Sequence, residues 1–300
     1  MLRRIEVIGL EGLPIVKQGD DLAEMIHNIA QCQGVSWMDG DIVVVAHKVV
    51  SKAEGRVVHQ REVQPSVFSQ KVARISHKPT WIVELALREA RSIVKQVKGH
   101  LITETHHGWI YSCSGVDVSN VSGGDSAVLL PRNPDESAEG IRRGIKKLSG
   151  RDVAVIISDT TGRPFRRGDV DVAIGVSGIK SLIDLRGKKD GFGYILKMKQ
   201  VAIADELASA AELVIGQAGE MTPVAIIRGY RYDMDEDASS KALQKPKEKD
   251  RVTVAFKETG EGLLLKPLPD ITESAGALSS YADFEEVLSD LIRIRKEDFR

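Results

Sequence analysis

Three short stretches, Ile42 to Ala46, Val153 to Ile157 and Pro223 to Ile227, are apolar almost throughout and rich in β-branched side chains. A strand with one wet face alternates apolar and polar residues, so an unbroken run of this kind calls for a strand covered on both faces. The covering helices are written between the runs. Asp21 and Glu24 form a capping box ahead of Leu22, Met25, Ile26 and Ile29, which fall on one helical face. Asn133 caps a second helix and Pro134 opens it; Asp135 and Glu136 suit its positive end, Lys146 and Lys147 its negative end, and Gly150 ends it. Thr80 is placed to cap a third helix, whose stripe of Val83, Leu87, Ala90, Val94 and Val97 runs on to Gly99. Ile203 to Ile215 reads as an Ala-rich helix and Trp109 to Cys113 as a strand, while the strand from Val153 is expected to break at Ser158-Asp159. The alternation by itself is a generic α/β pattern.

A length of 300 residues gives room for two modest domains or two interleaved halves. The formal net charge of −1 excludes a basic platform for nucleic acid or for an anionic membrane surface, so any anionic ligand must be met by local basic groups. No apolar run approaches the roughly 20 residues of a membrane span. Cys32 and Cys113 have neither disulfide nor metal spacing, which fits a reducing, cytoplasmic setting. No apolar region follows the arginines at the start, so no secretory signal is expected. Asp233 to Arg251 is charged and polar and reads as a surface linker or loop. Beyond it, Val252 to Phe256, Leu263 to Leu265 and a helix near Phe284 to Ile294 suggest a small appendage.

Two motifs place carboxylates after strands. Gly115-Val116-Asp117-Val118-Ser119-Asn120 sets a carboxylate and an amide three residues apart, able to converge on a hard cation. Ile157-Ser158-Asp159-Thr160-Thr161-Gly162-Arg163 adds a second carboxylate beside a hydroxyl and a glycine, a set suited to a metal-bound phosphate. Either motif alone is equally a ligand-free turn. Arg163, Arg166 and Arg167, then Arg186, Lys188 and Lys189, form basic clusters in Gly-rich stretches, either solvated charge or grips for carboxylate and phosphate. The segment Val176 to Gly178 between them would let backbone amides approach a phosphate. Lys52, in Lys48-Val49-Val50-Ser51-Lys52-Ala53-Glu54-Gly55-Arg56, is either a polyphosphate partner or a surface lysine. His106 and His107 adjoin on opposite faces of an expected strand and make a poor zinc pair. No Walker loop, dinucleotide fingerprint, nucleophile elbow or Cys-His pairing occurs, so no protein nucleophile is assigned.

Taken in order, these blocks resemble the gamma-glutamyl ligase family of coenzyme F420 synthesis. The resemblance is carried by Glu11-Gly12-Leu13-Pro14, Val50-Ser51-Lys52-Ala53-Glu54-Gly55-Arg56, Gly115-Val116-Asp117 with Ser119-Asn120, and Ser158-Asp159-Thr160 with Gly162-Arg163. It continues through Phe165-Arg166-Arg167-Gly168, Asp184-Leu185-Arg186-Gly187 with Asp190, and Ala204-Asp205-Glu206. It implies an α+β fold of two intertwined subdomains, with mixed sheets and flanking helices, in a homodimer. The ligase part would occupy residues 1–232, followed by the linker at 233–251 and the appendage at 252–300. It further implies a GTP-dependent ligase that activates the terminal carboxylate of the F420-0 precursor as an acyl phosphate and couples it to L-glutamate.

By the same resemblance, Asp117 and Asp159 hold one divalent ion, Mg2+ or Mn2+, while Thr160 and Gln217 serve a second, with room for a monovalent cation. Gly12, Leu13, Pro14, Ile15, His47, Lys48, Lys52 and Asn120 would contact the nucleotide, together with Leu213, Val214, Ile215, Gly216, Gln217, Ala218 and Gly219. Arg163, Arg166, Arg167 and Arg186 are the candidates for the acceptor or glutamate carboxylates. His47 and Lys48 depart from the small hydroxyl residues of some relatives, and the tail has no counterpart and is too short for the nitroreductase-like domain some bacterial relatives carry. Two other readings stay open: a carboxylate–amine ligase with another acceptor, and a non-catalytic flavin- or nucleotide-binding protein on the same fold.

Overall fold

A computed structural model describes residues 4–121, 124–163 and 166–246; Phe165 and the expected appendage lie outside them. Along the chain, β1 (Glu6–Gly9), α1 (Leu22–Cys32), β2 (Ile42–Ala46), α2 (His47–Ala53) and β3 (Val57–His59) come first. Then follow α3 (Val67–Ser76), α4 (Thr80–Glu89), β4 (Ala90–Val97), β5 (His100–Thr105) and β6 (Ile110–Ser112). The remainder comprises β7 (Ser126–Val128), α5 (Pro134–Ser149), β8 (Ala154–Gly162), β9 (Asp169–Ile179), β10 (Ile183–Asp184), β11 (Gln200–Val201), α6 (Ile203–Ile215), β12 (Val224–Arg228) and β13 (Met234–Asp235). Helices and mixed sheets together make the chain α+β. Its described residues divide into two compact units: one from the segments up to Glu62 and Val116–Pro246, the other from residues 63–115.

The first unit is built on a six-stranded sheet ordered β1-β12-β2-β8-β9-β13. The three apolar runs are its neighbouring strands β12, β2 and β8. β2 and β8 run parallel, from Ile42 opposite Ala154 to Ala46 opposite Ser158, and the other pairings are antiparallel. One face is covered by α6, whose Ala204, Leu207, Ala208 and Ala211 pack on Ile42, Val44, Ile156, Ala225 and Ile227. Val43, Val45, Val155 and Ile157 alternate to the opposite face and are fully buried too. Each such side chain contributes about 1.5–3 kcal/mol of burial, which is why these runs carry no polar residue.

Local signals are met where they were strongest. Asp21 accepts from the Glu24 amide at the start of α1, Asn133 accepts from Glu136 at the start of α5, and Gly150 ends α5 at φ 71°. Other expectations fail. Thr80 does not cap α4 but is its first residue, behind Pro79, with no side-chain cap bond. The stripe from Val83 to Val97 is not one helix: α4 stops at Glu89 and the chain turns extended as β4, with Gly99 (φ 82°) in the hairpin to β5. The β-branched residues Ile93, Val94 and Val97 suit a strand once β5 offers backbone partners. Nor does β8 break at Ser158-Asp159. It continues to Gly162, with a register shift against β9 between Ile157 and Ser158. The acidic start of the expected linker is also structured. β13 pairs with β9, Glu236 clamps the buried Arg142 guanidinium at 2.6 and 2.7 Å, and the Ser239 hydroxyl donates to Asp135.

In the second unit a three-stranded sheet, β4-β5-β6, accompanies α3 and α4. Its buried Glu84 accepts from the Ser66 amide (2.9 Å), the Ser66 hydroxyl (2.8 Å) and Arg88 Nε (2.9 Å). Burial pushes this carboxyl up, but the Ser66 and Arg88 donors outweigh it and leave the group below the ordinary 4.5. Its stabilisation is therefore complete above the unfolded value and is lost as pH falls through the folded one. Glu84→Ala strands the Ser66 amide and is expected to cost about 1–3 kcal/mol near neutrality. Thermal unfolding of variant and parent should converge in acid.

Candidate functional site

The register shift puts an extra residue, Ile174, into β9, so that Gly175 stands opposite Ile157 and Ala173 opposite Ser158 while β8 runs on unbroken. Asp159 is 8% exposed, and its Oδ1 accepts the Thr160 amide (2.8 Å) and lies 3.1 Å from His47 Nε2. Its Oδ2 has no hydrogen-bond partner among the described residues. His47 is the first residue of α2, directly after β2, so the parallel pairing of β2 with β8 brings these two buried groups together.

The next residue of α2 reaches the other motif. Lys48 Nζ lies 2.7 Å from Asp117 Oδ2 and donates to the Ser119 hydroxyl at 2.6 Å. Ser119 in turn donates its amide to Asp117 Oδ1 at 2.7 Å. Burial pushes the Asp117 carboxyl up; the Lys48 and Ser119 donors more than offset it and hold the group below the usual aspartate range. One turn further on, Lys52 Nζ donates to the Asn120 backbone oxygen at 2.8 Å. Its ammonium is pushed down by burial and then by the neighbouring charge of Lys48. The two carboxylate motifs thus meet successive residues of one helical turn.

Thr160 opens a third set of contacts. Its hydroxyl lies 2.9 Å from both Asp171 Oδ1 and Gln217 Oε1, and Gln217 Nε2 donates to Asp171 Oδ1 (3.0 Å) and Glu212 Oε1 (2.8 Å). Asp171 and Glu212 belong to no motif and were missed. The available signal was Asp171 itself, a carboxylate in the alternating start of β9. In the segment after residue 212, Ile215 belongs to the core and Val214 packs against it, Leu213 is exposed, and Gly216 (φ 73°) turns the chain so that Gln217 returns to β8 and β9.

Other expected residues stand apart from these contacts. Gly12 turns at φ 72°, Leu13 is buried, and Pro14 and Ile15 edge a shallow depression lined also by Asp20, Asp21 and Glu24. Arg163 donates to the Arg167 and Gly168 carbonyls within the β8–β9 turn, where Arg166 and Arg167 are exposed. Arg186 is held by Asp184, two residues before it, whose carboxyl that guanidinium lowers to about 2. Val176 to Gly178 is no phosphate loop. It is paired strand: the Val176 amide donates to Asp135, and a side chain at Gly178 would strike Arg142.

A hard divalent cation takes oxygen ligands, and the oxygens of Asp159, Asp117, Thr160 and Gln217 are of that chemical kind. Among the described residues no three His, Cys, Asp or Glu side chains cluster in a way that could hold a metal ion. No helix of the described residues is long and apolar enough to cross a membrane.

A family model described as F420-0:Gamma-glutamyl ligase matches residues 12–229. Among curated relatives, the coenzyme F420:L-glutamate ligase of Methanocaldococcus jannaschii is 48% identical over 248 residues, covering 83% of this chain and 96% of that protein. The protein of the same name from Methanothermobacter thermautotrophicus is 44% identical over 247 residues, covering 82% and 98%. That from Archaeoglobus fulgidus is 39% identical over 254 residues, covering 85% and 98%.

Proposed function

Since the chain belongs to the F420-0:gamma-glutamyl ligase family, we propose that it is a GTP-dependent ligase joining L-glutamate to the terminal carboxylate of the F420-0 precursor. The acceptor carboxylate attacks the γ-phosphorus of GTP, giving an acyl phosphate and releasing GDP. The glutamate amine then attacks the acyl carbon, the C–N bond forms, phosphate leaves and the nitrogen gives up its proton. Phosphoryl transfer of this kind needs positioning and charge neutralisation rather than a protein nucleophile.

The observation that supports this reading is the meeting of both carboxylate motifs with His47 and Lys48 at the start of α2. Divalent ions, Mg2+ or Mn2+, would neutralise the triphosphate. Asp159 and Asp117 would hold one, with Thr160 and Gln217 at a second; a monovalent cation is also compatible. Asp117, now held by Lys48 and the Ser119 amide, would supply carboxylate charge to a cation, and Lys48 would supply positive charge to phosphate. Lys52 and Asn120, already in contact, would meet the nucleotide with Gly12 to Ile15 and Leu213 to Gly219, the side chains of Leu13, Val214 and Ile215 staying with the interior. Arg163, Arg166 and Arg167 remain the candidates for the substrates' carboxylates. Arg186 joins them only by leaving Asp184. The acting form is a homodimer in the cytoplasm; exposed Phe192, Tyr194, Ile195 and Met198 between β10 and β11 supply an apolar surface of the kind assemblies cover.

Incubation with F420-0, L-glutamate and Mn2+, with GTP or ATP in parallel arms and mass spectrometry as readout, tests the reading. The expected result is one or more glutamyl units added in the GTP arm. No product in either arm overturns the ligase assignment in favour of another acceptor or a non-catalytic binder. Equal product from ATP overturns the nucleotide preference.

A further inference from the structure

Asp171 is only 3% exposed and stands directly opposite Thr160 in the β8–β9 pairing. Its Oδ2 accepts from the Ser158 hydroxyl at 2.8 Å. Its Oδ1 takes the Thr160 hydroxyl and Gln217 Nε2, and its own amide donates to Glu212 Oε2 at 3.1 Å. Among the described residues neither Asp171 nor Glu212 has an ion-pair partner within salt-bridge distance. Burying a carboxylate without a counter-charge is costly, so Asp171, with the partly exposed Glu212 drawn in beside it, asks for a reason.

The reason lies in counting protons. A glutamine amide has two N–H groups and a threonine hydroxyl has one. Both amide hydrogens of Gln217 are used, one by Asp171 and one by Glu212. The amide therefore cannot turn over, and its Oε1 stays directed at Thr160. The single Thr160 proton is within reach of Asp171 Oδ1 and Gln217 Oε1, both 2.9 Å away, and the charged carboxylate is the stronger acceptor. With the proton on that side, Gln217 Oε1 and Thr160 Oγ1 lie 2.9 Å apart with no hydrogen between them. Two neighbouring oxygens of an octahedral ion at about 2.1 Å are separated by about 3.0 Å. The pair has the spacing of one edge of such a coordination shell.

We infer that Asp171 and Glu212 are positioning residues, which consume the protons of Gln217 and Thr160 so that both present bare oxygen to a divalent cation. Neither carboxylate needs to touch the ion. The inference rests on the cation proposed above, and it assigns a task to two side chains no motif marks. In Glu212→Gln, the new amide puts N–H against one of two donors that both need oxygen. Gln217 is then free to rotate and turn its own N–H toward the ion. Asp171→Asn disturbs the same set from inside the sheet.

The test is Mn2+ binding by electron paramagnetic resonance, with and without a non-hydrolysable GTP analogue. The proteins are the full chain, Glu212→Gln, Asp171→Asn, Gln217→Ala and Glu212→Gln combined with Gln217→Ala, with thermal unfolding in parallel. Loss of such outer contacts typically weakens metal binding roughly 10–100-fold, and that is the expected change in both carboxylate variants. Glu212 lies on the partly exposed side of α6, so its variant should unfold at nearly the parental temperature even if the buried Asp171→Asn does not fold. With Gln217 already alanine, Glu212→Gln should weaken Mn2+ no further, because its effect runs through that amide. Parental Mn2+ affinity in Glu212→Gln, or its full effect persisting beside Gln217→Ala, overturns the inference. A parent chain that binds no Mn2+ overturns the cation reading beneath it.

Discussion

Asp159→Asn is expected to reduce ligase turnover by more than the roughly 10–100-fold typical of losing a contact one layer further from a metal. In the parent, Asp159 Oδ1 is engaged by the Thr160 amide and by His47 Nε2, which leaves Oδ2 to carry negative charge outward. Asparagine offers only one oxygen. If that oxygen stays with the Thr160 amide, an N–H₂ group faces the cation. If the amide turns over, it opposes the Thr160 N–H and the β8 backbone loses an acceptor. Either way the site loses a unit of charge where the triphosphate adds several, and Coulomb attraction at such short range is the main device for this chemistry. Asp117→Asn should act in the same direction while freeing Lys48 from its ion pair. Steady-state kinetics with varied Mn2+ and GTP, beside Mn2+ titration, separates lost metal from lost turnover. Near-parental activity in both variants would falsify the metal assignment.

Gly175→Ala is expected to cost about 3 kcal/mol, the upper end of what overpacking usually costs. A Cβ at this position would meet the Pro134 carbonyl oxygen at 2.4 Å, its carbon at 2.5 Å and its Cβ at 2.7 Å. These are backbone and ring atoms at the first turn of α5, so no rotamer change relieves the clash; the helix must lift from β9. Gly175 pairs with Ile157, two residues before Asp159 and beside the extra β9 residue Ile174, so the same substitution should also weaken Mn2+ binding. Gly140→Ala on the outer face of α5 is the control. Nothing lies within 4 Å of its Cβ, and it should stabilise by about 0.4–1 kcal/mol. Thermal and denaturant unfolding of the three proteins decide the matter. Equal stability of Gly175→Ala and parent would show that α5 does not rest on the β9 backbone.

The misreadings share one physical origin. Val83, Leu87, Ala90, Val94 and Val97 keep a helical period across the α4–β4 junction, and nothing within those residues announces that β5 will supply a backbone ladder. Ser158-Asp159 looks like a strand end because polar residues usually mark one, yet β9 carries pairing on to Gly162. In Asp169-Val170-Asp171-Val172, a stretch no motif marks, Asp171 is the buried member. A carboxylate can face inward there only because Ser158, Thr160 and Gln217 come from other segments to donate to it.

What the amino-acid sequence determined alone was whatever depends on neighbours a few residues apart: the caps of α1 and α5, the extent of α6, and the β-branched runs that became β2, β8 and β12. The resemblance carried by its ordered blocks identified the family. Tertiary structure alone decided which carboxylates stand together, because His47 with Asp159, Lys48 with Asp117, and Asp171 with Gln217 are brought together by sheet order and a turn, not by spacing along the chain. Short-range hydrogen bonds form within one segment and can be read from it; the charge balance of a buried site exists only after distant segments have excluded water from it.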